Sequence, residues 1–275
     1  MRIPIRLIFL LWIGAACAAP PALSLANRYQ GGIDLAAYWV SEKFDGVRAL
    51  WDGQRLISRQ GHPFPAPVWF TAGFPSEPMD GELWVGRQRF EETVGIVRDH
   101  DASDEEWRRV RFLVFDLPDA RGDFDHRLMR LRRLVAEARV PWLRAVEQFK
   151  VADEAELRRR LRAVVSAGGE GLMLHRGTSG YHAGRGSDLL KLKPLWDAEA
   201  VVIAHLPGKG KYQGLLGALL VRDAQGHVFR IGTGFRDATR RNPPPIGSTI
   251  TYRYRGLTRN GLPRFASFLR IRNDR

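Results

Sequence analysis

The stretch Ser41-Glu42-Lys43-Phe44-Asp45-Gly46-Val47-Arg48-Ala49 decides how the rest of the chain is read. It is approached by Ala37-Tyr38-Trp39-Val40 and followed by Leu50 and Trp51. Asp45-Gly46 is a turn signal between two apolar runs. The pattern predicts a strand entered from a loop, with Lys43 at its mouth. An amine held there becomes a nucleophile once burial or neighbouring cations strip its proton. Arg48 supplies a guanidinium suited to phosphate oxygens. Taken alone, the stretch reads first as a charged surface turn, because short motifs recur by chance.

Working outward, Asp52-Gly53 predicts a hairpin turn, and the prolines at 63, 65 and 67 mark a loop before a short helix over 67–74. Asp80-Gly81-Glu82-Leu83-Trp84-Val85 reads as a turn entering a strand. Residues 90–97 and 103–109 read as helices, the second opened by a Ser103/Glu106 capping box. The almost wholly apolar run 110–118 predicts an interior strand. Helices follow over 124–138 and 155–167, the latter stopped by Gly168-Gly169. Residues 170–175 read as a strand and 177–186 as a glycine-rich loop. In Leu189-Leu190-Lys191-Leu192-Lys193-Pro194 the alternation puts both lysines on one face.

After Leu195 the texture changes to short strands (198–205, 215–221, 228–231, 249–254, 265–269) with a basic loop at 207–212 and no long helix. That pattern predicts a small β-barrel compatible with an OB-fold. The expected fold is therefore α+β, with an antiparallel-sheet domain over 27–195 and a barrel over 196–275.

The chain has 275 residues, 44% of them apolar, and a formal charge of +13. Such a chain builds a real core, and its surface favours polyanions, with nucleic acid the first choice and an anionic membrane the second. Arg2 and Arg6 precede Leu7–Ile13, and small residues follow through Ala19. This predicts an export signal over 1–26, cut after Ala18, Ala19 or Ala26, and a periplasmic protein with no transmembrane anchor after cleavage. Cys17 is the only cysteine; it faintly suggests a lipoprotein site, and its loss with the signal would leave no thiol. Cysteine-based zinc sites and disulfides are excluded.

Lys43, Asp45, Arg48, Arg59, Glu82, Glu170, Lys191 and Lys193 each sit in or beside an apolar run. One nucleophile-grade lysine, carboxylates for a hard divalent ion and several cations for phosphates point to attack by an amine on a nucleotide α-phosphate. Lys43-Phe44-Asp45-Gly46 resembles the lysine-x-aspartate-glycine motif of the covalent nucleotidyltransferases: ATP-dependent DNA ligases, RNA ligases and capping enzymes. Five further segments match in order: Ser58-Arg59-Gln60-Gly61, Asp80-Gly81-Glu82-Leu83, Phe112-Leu113-Val114-Phe115-Asp116, Glu170-Gly171-Leu172-Met173 and Leu190-Lys191-Leu192-Lys193-Pro194. The ordered set is specific. The closest likeness is to the minimal ATP-dependent DNA ligases of Gram-negative bacteria that carry an export signal, which have only a nucleotidyltransferase (adenylation) domain and an OB domain.

The resemblance implies roles for single residues. Lys43 is the adenylated nucleophile. Asp45 helps to position metal and reacting groups, and Arg48 and Arg59 meet nucleotide and nick phosphates. Phe115 stacks on adenine, while Lys191 and Lys193 lie near the α-phosphate. Glu82 contacts ribose or metal, and Glu170, with Glu82 and Asp45, makes the expected set for Mg2+ or Mn2+. Arg264 and Arg270 correspond loosely to a last basic motif that orients pyrophosphate. Lys209, Lys211, Arg253, Arg255, Arg259, Arg264 and Arg270 join Arg48 and Arg59 as expected DNA contacts. ATP, passing through a covalent AMP, and nicked duplex DNA are the implied cofactor and partner, and a monomer is expected. An RNA ligase or another nucleotidyltransferase, and a non-enzymatic basic binding protein, are the alternatives.

Overall fold

The computed structural model describes residues 20–258 and 260–272. Most of the expected export segment, with Cys17, and Arg259 lie outside the described residues. The chain divides into two compact units, one ending at Leu192 and the other beginning at Lys193.

The strands of the first unit are β1 (Ser24–Arg28), β2 (Tyr38–Lys43), β3 (Val47–Trp51), β4 (Leu56–Ser58), β5 (Met79–Trp84), β6 (Arg111–Asp116), β7 (Leu143–Ala145), β8 (Gly171–Arg176) and β9 (Gly184–Leu192). They form two sheets, ordered β1-β9-β8-β2 and β4-β3-β5-β6-β7. Both are mixed, because β1 runs parallel to β9 and β6 parallel to β7. The expected antiparallel sheets are corrected on this point: most pairings are antiparallel, and one in each sheet is parallel. β1 lacks the alternation that announces a strand and β7 has only three residues; each pairs with the backbone edge of a longer neighbour.

The apolar positions read from the sequence form the core. Phe112 and Val114 of β6 and Leu83 of β5 are fully buried beside Trp107. Each large side chain removed from water there stabilises the fold by about 2 kcal/mol. The helix Phe124–Ala138 is capped by Asp123, whose side chain accepts from the His126 N–H, and it buries Phe124, Leu128 and Leu131. The helix Glu154–Ser166 is capped by Asp153 and buries Leu157 and Leu161. In β9, Leu190 and Leu192 are buried, as alternation predicts. The glycine-rich loop is shorter than expected, since Gly184, Arg185 and Gly186 pair with Ser24, Leu25 and Ala26.

The second unit holds β10 (Trp196–Pro207), β11 (Leu216–Asp223), β12 (Val228–Ile231), β13 (Thr249–Tyr254) and β14 (Ser267–Ile271), ordered β12-β11-β10-β13-β14 and antiparallel throughout. A closed barrel is not formed by these ladders. Among the described residues, a single bridge between Thr233 and Ser267 links the β12 end to β14. Short strands with alternating burial are set locally, whereas closure depends on the pairing of the outer strands. Val202, Leu219, Val221, Ile231 and Ile250 fill this unit's own core.

Candidate active site

A cleft in the first unit is lined by side chains from both of its sheets. Lys43 ends β2, paired in register with Gly171 at the start of β8. Its Nζ lies 2.6 Å from Glu170 Oε2, and a quarter of the side chain is exposed. The two glycines of the flanking motifs are explained by packing. A Cβ on Gly46 would run into the Leu83 carbonyl of β5, and one on Gly81 would stand 2.6 Å from both the Leu113 carbonyl oxygen and the Phe112 ring. Both positions let backbones approach closely, which brings β3 and β5 beside the lysine.

Arg48 on β3 stands directly opposite Glu82 on β5. Asp80, two residues before Glu82, shares that face and forms a bidentate ion pair with Arg48 at 3.0 and 2.6 Å. Asp80 is wholly buried. Burial pushes its carboxyl upward, and Arg48 pulls against that. Burial also raises Glu82, to about 7, with Lys43 and Arg48 opposing. The Arg48 guanidinium lies 5.4 Å from the Phe115 ring centroid.

Lys43, Arg48, Arg59, Glu82, Phe115 and Lys191 all line this one cleft. Glu170 reaches it through its contact with Lys43. Asp45 is exposed on the turn and is not among the lining residues. Lys193 falls in the second unit. Among the described residues, no group of three His, Cys, Asp or Glu stands ready to hold a metal. The expected set Glu82, Glu170 and Asp45 is therefore not a preformed cage. Two carboxylates near the lysine still fit Mg2+, which is commonly held by one or two carboxylates together with substrate phosphates.

Sequence reasoning missed several lining residues: Ser24, Asp80, Asp116, Gln148, His175 and Tyr181. Asp80 carried a signal, an acid inside an apolar strand and within a quoted motif. Asp116 stood in a quoted motif too; it pairs with Arg127 at 2.8 and 3.1 Å in full burial. His175 stacks on Phe124 with centroids 3.7 Å apart, and burial, reinforced by Arg127, lowers it to about 3, so it is neutral. Ser24 and Tyr181 gave no local signal, since one sat in the expected leader and the other in a loop.

In the second unit Lys209, Lys211, Arg255, Arg264 and Arg270 are exposed. Arg253 is tied to Asp197 at 2.8 Å.

The chain matches two family models, "ATP dependent DNA ligase domain" over residues 25–193 and "DNA ligase OB-like domain" over residues 207–272. It is 37% identical over 265 residues to a DNA ligase of Haemophilus influenzae, covering 96% of this chain and 97% of that one. It resembles a solved structure from a structure-function study of Lig E DNA ligases, with 46% identity, a TM-score of 0.80, and coverage of 92% of this chain and 99% of the other. A Chlorella virus DNA ligase-adenylate shares the fold at 22% identity and a TM-score of 0.54, over 94% of this chain and all of the other.

Proposed function

The chain belongs to the ATP-dependent DNA ligases, as a minimal member with an adenylation domain and an OB-like domain, and from that premise we propose that Lys43 is the residue that carries AMP. The enzyme seals nicks in duplex DNA through adenylylation, using ATP with AMP as intermediate and Mg2+. The observation that supports Lys43 is its place in the lining of the cleft, a strand-held amine 2.6 Å from Glu170 Oε2.

In the first step Lys43 Nζ forms a bond to the α-phosphorus of ATP, the bond to the bridging oxygen breaks, and pyrophosphate leaves. The Lys43 ammonium must lose a proton before it attacks, and Glu170 Oε2, 2.6 Å from Nζ, holds the amine in the cleft. Arg48, Arg59 and Lys191 offset the charge that gathers on phosphate oxygens, and fixed charges of this kind supply much of an enzyme's rate. Phe115 offers a ring for adenine. In the second step AMP passes to the 5′-phosphate at the nick and Lys43 is released. In the third the 3′-hydroxyl attacks that phosphate, the strand closes and AMP leaves. Mg2+, held by Glu82 and Glu170 together with the phosphates, would supply further charge neutralisation. Lys43→Ala is expected to abolish the protein–AMP adduct seen by intact mass after incubation with ATP and Mg2+. A stoichiometric adduct in that variant would overturn the assignment.

Lys209, Lys211, Arg255, Arg264 and Arg270 grip the DNA backbone without reading bases, so binding is structure-specific and falls steeply with salt. The enzyme acts as a monomer. It is exported to the periplasm. A cut after Ala18 or Ala19 leaves β1 whole, whereas a cut after Ala26 severs it between residues that pair with β9. The upstream cuts are therefore the ones supported, and the mass of protein recovered from a periplasmic extract tests them. A mature chain starting at Asn27 would contradict this boundary.

A further inference from the structure

Arg48 is fixed from two directions by groups outside the recognised motifs as well as within them. Its Nε and Nη2 donate to the two oxygens of Asp80, and its Nη1 donates to the Ser24 carbonyl at 2.7 Å. The Tyr181 hydroxyl donates to Asp80 Oδ2 at 2.7 Å and accepts the Ser24 backbone N–H at 3.3 Å. The four groups close a ring: Arg48 to Asp80, Asp80 to Tyr181, Tyr181 to Ser24, and Ser24 back to Arg48. They come from β3, β5, the segment before β9, and β1. Burial and the Asp80 charge hold the Tyr181 hydroxyl well above its ordinary range, so it stays protonated and keeps donating.

We infer that Tyr181 and the Ser24 peptide group are positioning elements for adenylate transfer, holding Arg48 in one orientation through Asp80. A buried carboxylate has several acceptor sites, and with Arg48 alone it would leave one oxygen less satisfied and the fork able to pivot. The hydroxyl fills that site, and the Ser24 carbonyl restrains the third guanidinium nitrogen. The guanidinium is thereby kept over the Phe115 ring, 5.4 Å from its centroid. Misplacing a positioning group by about 1 Å lowers rates by roughly a hundredfold. A single restraint removed from a ring that keeps its other members costs less. The inference rests on the reading of Arg48 as a nucleotide-transfer residue, and it assigns the N-terminal strand a part in catalysis.

The test is a double-mutant cycle on the full chain. The single-turnover rate of protein–AMP formation at saturating ATP and Mg2+ is followed by intact mass, with thermal midpoints measured in parallel. Tyr181→Phe is expected to slow the step about tenfold while the midpoint moves little. In an Arg48→Lys background, where the fork no longer spans Asp80 and Ser24, the same change is expected to have under about a twofold effect. A full rate in Y181F, or an equal loss in both backgrounds, overturns the inference. Should Y181F not fold, Ser24→Pro, which removes the N–H and the hydroxyl that donates to the His182 carbonyl but keeps the Ser24 carbonyl, is read in the same way against Ser24→Ala, which removes the hydroxyl alone. If Lys43→Ala still forms the adduct, the reading of the site fails; if only the cycle fails, Lys43 stands and the positioning role does not.

Discussion

The two units of this protein handle charge in opposite ways. The first, beside an arginine-rich surface, drives several charged side chains into the interior and gives them fixed partners: Asp80 with Arg48 and Tyr181, and Asp116 with Arg127 and the Leu117 N–H. In the second, basic side chains line the surface, and the Asp197–Arg253 pair is about two-fifths exposed on each side. Its exception, Arg240, is buried but serves main-chain carbonyls of Leu216, Gly217 and Gly232. Buried pairs fix geometry because leaving either partner alone is expensive. Exposed cations keep their rotamer freedom and answer to a polyanion and to salt. The buried pairs of the first unit hold atoms still, while the exposed cations of the second stay free to move.

The sharpest way to break this contrast is Lys43→Ala, expected to lower nick sealing by more than about a thousandfold with little change in stability; residual sealing near the parent rate would remove the first unit's claim to the chemistry. Next is Arg127→Met, which strands Asp116 in the core and is expected to cost about 3–5 kcal/mol in urea unfolding. A loss under about 1 kcal/mol would mean that the buried pair is no more structural than an exposed one.

A smaller effect concerns pH. His175 is held neutral by burial and by Arg127, with its folded value at about 3 against the ordinary 6.5. The unfolded chain binds the proton first, so this contribution is complete above about pH 6.5 and is lost as pH falls toward 3. By pH 5 the wild type should have lost about 2 kcal/mol that His175→Gln does not lose, measured as the difference between their urea midpoints across pH. Parallel curves for the two proteins would refute it.

The smallest effects belong to the second unit. Lys209→Ala and Lys211→Ala should each leave stability within about 0.5 kcal/mol and reduce the slope of log affinity for nicked DNA against log salt by about 1. An unchanged slope would take that loop off the DNA.

Much of this was legible because it is local. The turn at Asp45-Gly46, the capping box at Ser103 and Glu106, and the amphipathic helix over 124–138 follow from residue type and spacing, and each stands where it was read. The motif residues carried by strands, Lys43, Arg48, Glu82 and Lys191, converge because strands are rigid and a shared motif order implies a shared register. Asp45 left the cleft because a turn aims its side chain independently of the strands beside it. The metal set failed as a cage for the same reason, with one carboxylate on a loop and two facing the lysine.

The order of motifs, the class of chemistry, the two-part organisation and the basic surface were determined by the sequence alone, since each depends on residue identity and short-range spacing. Tertiary structure decided the rest. It recruited Ser24–Arg28 as a parallel strand, left the second unit's sheet without barrel closure by its ladders, and tied Tyr181 through Asp80 to Arg48. Those outcomes hang on pairings between segments more than 20 residues apart. A backbone edge accepts a strand with little regard to its side chains, so no nearby residue records the choice.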